Sequence, residues 1–317
     1  MTRIAILDDY HNVALKLADW ESLPGAPEIT VFTDYIGGED RVAERLQGFD
    51  IVAIMRERTP FPGSLIRRLP DLRLLVTTGR RNASIDLEAA AEAGITVCGT
   101  GGSAASTAEL TWGLILALTR FIPTEHASMK AGGWQTRLGR GLGDMTLGLI
   151  GLGRLGSQVA AVGQAFGMDM VAWSQNMTDT KAEAAGARRV DKAELFKTAD
   201  IITIHLVLSE RSRGLVGAEE LAAMKPTACL INTSRGPIVD EAALVDALSN
   251  GRIGGAGLDV FDVEPLPAEH PLRRLDNVLL TPHIGYVTED VYRIFYTETV
   301  EDISAYLAGA PIRAITP

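Results

Sequence analysis

The chain has 317 residues, 46% hydrophobic and 22% charged, and carries a net charge of −10 from 30 basic and 40 acidic side chains. This length suits two domains, and the hydrophobic share is enough for sizeable cores, which excludes a disordered chain. The acidic balance argues against a nucleic-acid partner, which needs a basic footprint, but leaves room for a small anionic substrate held by a few arginines.

Cys98 and Cys229 are the two cysteines, each in or beside an apolar run. They read as buried thiols; there is no disulfide framework and no zinc spacing, so no metal is expected. Met1 to Asp8 runs straight into a strand, without the regions of a signal peptide. The longest apolar stretch, Leu110 to Ile122, is broken by Thr111, Thr119 and Arg120, so no membrane partner is expected and the location expected is cytoplasmic.

In chain order, Ile4 to Leu7, Ile29 to Phe32, Ile51 to Ile54, Leu72 to Val76 and Ile95 to Val97 read as short strands. Helices fit between them over Val13 to Trp20, Asp40 to Leu46, Ser64 to Arg68 and Asp86 to Ala93. Such alternation predicts a parallel sheet with crossover helices. A glycine-rich joint, Gly99 to Gly102, precedes a helix that is apolar nearly all round, with Ser106 and Glu109 as a candidate capping box. Lys130 to Gly143, rich in Gly and Arg, reads as a long exposed loop.

Thr146 to Ala160 organises the second half. Leu147 to Ile150 reads as a buried strand, Gly151, Gly153 and Gly156 follow at the G-x-G-x-x-G spacing, and Leu155, Val159, Val162 and Phe166 recur at helical spacing. Strand, glycine turn and helix in that order is the context a dinucleotide fingerprint needs. The first glycine allows a tight turn, the second lets backbone approach a pyrophosphate, and the third lets helix and strand pack closely. The helix start, at Arg154 and Leu155, then offers unpaired N–H groups to the anion.

A second strand–helix series follows: Met170 to Trp173, Ile201 to Ile204, Ala228 to Ile231, Ile253 to Leu258 and Val278 to Leu280, with helices fitting between them, for instance over Asp240 to Ser249. Thr288 to Leu307 reads as one long amphipathic helix with no strand of its own, a candidate to pack back on the first domain. No internal repeat is present. Three polar clusters fall just after strands, where open α/β sheets bind ligands: Asn232 to Pro237 with Arg235, Gly257 to Pro265 with Asp259 and Glu264, and Thr281 to Gly285 with His283. Singly, each has a bland reading, as a surface ion pair, a solvated loop acid or a structural histidine. Together they form the set that hydride transfer to a carbonyl requires. Histidine supplies a proton near neutral pH, a carboxylate beside it favours its charged form, and arginine forks a substrate carboxylate. His205 reads as structural or close to a cofactor; His11, His126 and His270 read as structural or surface histidines.

The motifs L-G-L-I-G-L-G-R-L-G, I-N-T-S-R-G-P-I-V-D-E-A-A-L, G-L-D-V-F and L-T-P-H-I-G resemble those of the D-isomer-specific 2-hydroxyacid dehydrogenases, over nearly the whole chain. The resemblance implies that Arg235 binds and polarises substrate, His283 is the acid/base and Glu264 pairs with it. Asp259 would hold the nicotinamide carboxamide, helped by the backbone near Thr233, with Gly151, Gly153, Arg154, Leu155, Gly156, Ser174 and Gly285 also on the cofactor side. It implies two doubly wound parallel-sheet domains: a Rossmann nucleotide domain, 102–285, inserted into a flavodoxin-like substrate domain, 1–101 and 286–317. It also implies a homodimer joined largely through the nucleotide domain and its Gly/Arg loop, and a 2-oxo or 2-hydroxy acid as small-molecule partner, of the hydroxypyruvate, glyoxylate or phosphoglycerate type. The C-terminal regulatory domain that phosphoglycerate dehydrogenases often carry is not expected. Some relatives are NAD(H)-sensing corepressors that keep the same residues, so a catalytically weak regulatory protein is the alternative.

Two departures bear on specificity. The fingerprint calls for an acid roughly 20 residues after the glycines, and here Trp173 is followed by Ser174-Gln175-Asn176. Repulsion of a 2′-phosphate is thereby removed, yet no arginine replaces it and Lys181 is the nearest base, so NAD or NADP is expected with dual or NADP-leaning use. In the first domain, the family's glycine-rich loop keeps only Gly79 and gains Arg80 and Arg81, with Arg56 and Arg58 after an adjacent strand. These arginines are either solvated or paired with hinge carboxylates, or they recognise a second anionic group on the substrate. In addition, Val207 stands where the family commonly has proline.

Overall fold

Ile4 to Ile6, Ile51 to Ile54 and Leu74 to Val76 are almost wholly withdrawn from solvent, the pattern of parallel strands covered on both faces by crossover helices. A computed structural model describes all 317 residues, which form two compact units, Met1–Ser103 with Val287–Pro317, and Ala104–Tyr286.

The first unit runs β1 (Arg3–Ile6), α1 (Ala14–Leu17), β2 (Glu28–Val31), α2 (Glu39–Arg45), β3 (Ile51–Ile54), α3 (Gly63–Ile66), β4 (Leu74–Thr77), α4 (Leu87–Glu92) and β5 (Thr96–Gly99). Its sheet is parallel in the order β2-β1-β3-β4-β5. Strand order therefore reverses between β1 and β3, the position at which such sheets receive ligands. Backbone strain gathers there: Asp8 and Asn12 after β1, and Arg56 after β3, adopt left-handed φ values of 59°, 52° and 51°. The helix expected over Val13 to Trp20 is shorter. The Asp9 carboxylate accepts the N–H groups of Val13 and Ala14 at its start, and extended backbone at Ala18 ends it.

The second unit begins with α5 (Ala105–Thr119) and α6 (Ile122–Lys130), then β6 (Thr146–Ile150), α7 (Arg154–Ala165), β7 (Asp169–Trp173), α8 (Asp179–Ala184), β8 (Arg188–Arg189) and α9 (Lys192–Thr198). It continues through β9 (Ile201–Ile204), α10 (Ala218–Ala223), β10 (Cys229–Asn232), α11 (Glu241–Ser249), β11 (Gly255–Leu258) and β12 (Val278–Leu280). Seven parallel strands lie in the order β12-β11-β10-β9-β6-β7-β8. One face buries Leu195, Phe196, Leu221 and Leu244 against Ile202 and Leu230. The other buries Trp112, Ile115 and Val159 against Leu147, Leu149 and Ile231. The capping box expected at Ser106 and Glu109 does not form. Ala104 is the N-cap without a side-chain bond, and Ser106 already lies inside α5. Two elements escape the sequence reading: α6, whose first turn holds Pro123, and β8, a two-residue edge strand of exposed arginines. Neither has an apolar face long enough to show a period.

The chain then returns to the first unit as α12 (Glu289–Leu307), capped by Thr288 and burying Tyr292, Phe295, Tyr296 and Ile303 against β4, β5 and α1. The tail beyond it pairs with the edge of β5, through Gly99 N–H to Arg313 O at 3.1 Å and Ile315 N–H to Val97 O at 2.8 Å. No helix is long and apolar enough to cross a membrane.

Candidate active site

The turn after β6 is shaped by close approach. Gly151 has φ 99°, and a Cβ on it would sit 2.6 Å from the His205 carbonyl. A Cβ on Gly156 would overlap the Gly151 carbonyl, so α7 presses directly on the turn. Gly153, the α7 N-cap, has open space where its Cβ would be. The first N–H groups of α7, at the exposed Arg154 and half-buried Leu155, lack intrahelical partners. An open backbone cradle at a helix N-terminus fits a dinucleotide pyrophosphate. His205 lies beneath it, with Nε2 3.0 Å from Thr203 Oγ1. Burial pushes its imidazole down to about 3, so it is neutral at physiological pH. At the end of β7, the Ser174 carbonyl accepts the Met177 N–H and turns the chain, leaving Gln175 and Asn176 exposed. Asp179, further on, is paired with Arg189 at 3.1 Å.

Because β9, β10, β11 and β12 are consecutive neighbours, the loops at their carboxyl ends form one row. After β10, Asn232 builds the turn that carries Arg235: its Oδ1 accepts the Ser234 N–H and its Nδ2 donates to the Arg235 carbonyl. Ser234 Oγ donates to the Ile204 carbonyl, and Thr233 Oγ1 lies 2.9 Å from Thr111 Oγ1 of α5. Arg235 Nη1 donates to the Ser234 carbonyl at 2.7 Å. Gly236, next in line, lies against the Phe261 carbonyl and 2.6 Å (from its would-be Cβ) from the Asp262 nitrogen. This contact fixes the Arg235 turn against the loop that carries Glu264.

After β11, Asp259 is 1% exposed and gathers the next loop around itself. Its Oδ1 accepts the Thr281 hydroxyl at 2.6 Å and the Ile284 N–H at 2.8 Å, and its Oδ2 accepts the Gly285 N–H at 2.8 Å. Burial raises its carboxyl above the usual range, against the pull of those donors and of His283. The Gly285 carbonyl in turn accepts from Thr107 Oγ1 of α5. His283 is thus held at φ 52° with its Nδ1 2.6 Å from Glu264 Oε2 and its ring edge-on to Tyr286. The second oxygen of Glu264 accepts the Phe261 N–H at 2.9 Å.

The remaining candidates belong to the first unit. Gly79, with φ 92°, donates its N–H to Thr100 Oγ1 and leaves room for the Arg56 guanidinium, whose Nη1 lies 2.5 Å from where a Cβ would be. Arg80 and Arg81 are exposed, and Arg80 lines a hollow of about 400 Å³ with Gly99 to Gly101, Glu298 and Arg313. Arg58 lies over the Tyr10 ring and donates to the Asp8 carbonyl and the Tyr292 hydroxyl. The sequence reading placed Asn232 and Thr281 in the polar clusters but gave no role to them, nor to Thr107 and Thr111. The only local signal for the last two was a pair of threonines one turn apart on an apolar helix.

The model of the D-isomer specific 2-hydroxyacid dehydrogenase NAD binding domain matches residues 112–285. The chain is 38% identical to a D-3-phosphoglycerate dehydrogenase of Methanocaldococcus jannaschii over 98% of its length, but covers only 58% of that protein. It is 38% identical to a hydroxypyruvate reductase of Thermotoga maritima, covering 95% of this chain and 97% of the relative. A solved phosphoglycerate oxidoreductase of Vibrio cholerae superposes with a TM-score of 0.93 at 38% identity, over 98% of this chain and all of the other. The chain thus spans little more than half of the phosphoglycerate dehydrogenase and nearly all of the hydroxypyruvate reductase. With the glycine turn and the His283–Glu264 pair in one parallel-sheet unit, these likenesses establish that the chain belongs to the D-isomer specific 2-hydroxyacid dehydrogenase family.

Proposed function

We propose that this chain is an NAD(P)-dependent oxidoreductase that interconverts a small 2-oxo acid and its D-2-hydroxy acid, with a hydroxypyruvate, glyoxylate or phosphoglycerate-type substrate. The observation that carries it is the 2.6 Å contact between His283 Nδ1 and Glu264 Oε2, in the same row of strand ends as Arg235. In the direction of reduction, bound dihydronicotinamide supplies the hydride. Arg235 forks the substrate carboxylate and polarises the carbonyl beside it. Glu264 accepts Nδ1–H and fixes the orientation of the ring, which leaves Nε2 to pass a proton to the carbonyl oxygen as it becomes an alkoxide. In oxidation the same nitrogen takes the hydroxyl proton back.

The Gly151, Gly153 and Gly156 turn, with Arg154 and Leu155, would hold the pyrophosphate and Ser174 the adenine-side ribose. Thr233, Asp259 and Gly285 would stand at the nicotinamide, Asp259 accepting from its carboxamide through lone pairs left over from the His283 loop. The first unit would bind substrate through Gly79, Arg56, Arg80 and Arg81. We read the protein as a homodimer, supported by exposed apolar side chains on α6 and the loop after it: Ile122, Met129, Trp134 and Leu138. Cytoplasmic location is supported by two free cysteines and an acidic, strongly charged composition.

The test is a two-way kinetic screen of NADH and NADPH against glyoxylate, hydroxypyruvate, phosphohydroxypyruvate, pyruvate and 2-oxoglutarate. Turnover that His283→Ala abolishes supports the reading. Tight nucleotide binding without turnover on any acid supports the regulatory alternative instead.

A further inference from the structure

Glu264 must present one oxygen to His283 from an irregular loop, and a loop carries little rigidity of its own. Bonding to Phe261 N–H curls the loop inward but does not tie it to the sheet. That tie comes from α11. Glu241 is the first residue of that helix, and its Oε2 accepts the Asp262 N–H at 3.2 Å, one residue from Phe261. Its other oxygen, Oε1, lies 3.0 Å from His270 Nε2. His270 Nδ1 accepts the Leu272 N–H at 3.4 Å, so its ring proton sits on Nε2 and points at Glu241. One carboxylate therefore grips the loop near its beginning and near its end. Arg273 holds the span between, through the carbonyls of Leu266 and Pro267.

We propose that Glu241 and His270 are positioning residues for Glu264: a second imidazole–carboxylate pair that clamps the loop on which the first depends. The pair is well shielded, with side chains 20% and 17% exposed, so its bonds are not diluted by solvent as surface pairs are. The site is electrostatically costly, since burial and then the neighbouring Glu241 raise the Asp262 carboxyl. Glu241 is tolerated there because the loop supplies its donors, the Asp262 N–H and His270 Nε2. The clamp and the Gly236 contact meet at one peptide group, between Phe261 and Asp262, so Arg235 and Glu264 are referenced to one backbone segment.

This inference rests on the proposed role of Glu264. Hydroxypyruvate reduction by the full chain is measured for Glu241→Ala, Glu241→Gln and His270→Asn, each with Glu264 intact and with Glu264→Ala. Glu241→Ala is expected to lower kcat about tenfold, with KM and the Kd for reduced nucleotide within about twofold of the parent. Glu241→Gln keeps an acceptor for Asp262 and recovers most of that loss. In the Glu264→Ala background the same substitution is expected to cost less than about twofold, because residues acting through one another are not additive. Equal losses in both backgrounds, no loss, or a loss confined to KM overturns the proposal. Should Glu241→Ala fail to fold, His270→Asn in the two backgrounds gives the same comparison. Full activity of Glu264→Ala itself overturns the functional reading, and this inference with it. A severe Glu264→Ala defect with a silent or additive Glu241→Ala overturns this inference alone.

Discussion

His283 meets Glu264 at 2.6 Å through Nδ1, while its own backbone sits in the left-handed region at φ 52°. Such a conformation costs a non-glycine residue about 1–3 kcal/mol and persists only when neighbours over-determine it. Here Asp259 does so, by accepting from Thr281, Ile284 and Gly285 on either side of the histidine. A rigid imidazole with one nitrogen engaged leaves the other for the reacting oxygen. Glu264→Gln is therefore expected to lower kcat for reduction about 10- to 100-fold, and His283→Ala about 10²- to 10⁴-fold. Nucleotide Kd should change little in either variant. Stopped-flow single turnovers separate the chemical step from binding; a normal rate in Glu264→Gln would refute the pairing's role.

Gly236 has ordinary backbone angles, so its necessity is one of space. A Cβ would collide with the Phe261 carbonyl and approach Asp262 N to 2.6 Å. Gly236→Ala should cost about 1–3 kcal/mol of stability and reduce kcat about 100-fold, since the loops of Arg235 and Glu264 would part. Chemical denaturation with activity checks both. An active, stable Gly236→Ala would show that the loops move independently.

Ser174 directly follows β7, where a carboxylate would repel a 2′-phosphate. Affinities for NADH and NADPH are expected to lie within about tenfold of each other, and Ser174→Asp should weaken NADPH selectively. Fluorescence titration of the reduced nucleotides tests this. A strong preference for NADH in the unaltered protein would contradict it.

Burial holds His205 down to about 3 from an ordinary 6.5. Below its ordinary value the unfolded chain binds one more proton at this position than the folded one, so stability falls as pH falls. The contribution is whole above about 6.5 and drains away toward about 3. In His205→Asn the decline of stability on acidification through that window should be shallower. Urea melts at several pH values measure the slope, and parallel slopes would count against the assignment.

Arg81 is exposed in the loop that begins at Gly79. If it recognises a second anionic group, Arg81→Ala should raise KM for phosphohydroxypyruvate at least about tenfold more than for glyoxylate. Equal effects on the two substrates would return this arginine to the solvated surface.

Read along the chain alone, much of this architecture was already legible. Parallel strands buried on both faces appear as apolar runs, as β3 and β6 do, whereas β8 is two exposed arginines. Helix starts announce themselves where a side chain caps, as Asp86, Asp240 and Thr288 do. The glycine spacing marks its turn because each glycine answers a local steric demand. The polar clusters around Arg235, Asp259 and His283 stood out because they directly follow strands. What acts on them came from elsewhere in sequence. Thr107 reaches Gly285, Thr111 reaches Thr233, Gly236 lies against Phe261, and Glu241 joins Asp262 to His270. These pairings follow from strand order, which sets β12, β11, β10 and β9 side by side and lays α5 across them. The same holds for the sheet that α12 covers and for the tail that pairs with β5. Local propensity reads distances of a few residues, and a site assembled from loops far apart in the chain exists only once long-range packing has chosen which strand ends are neighbours.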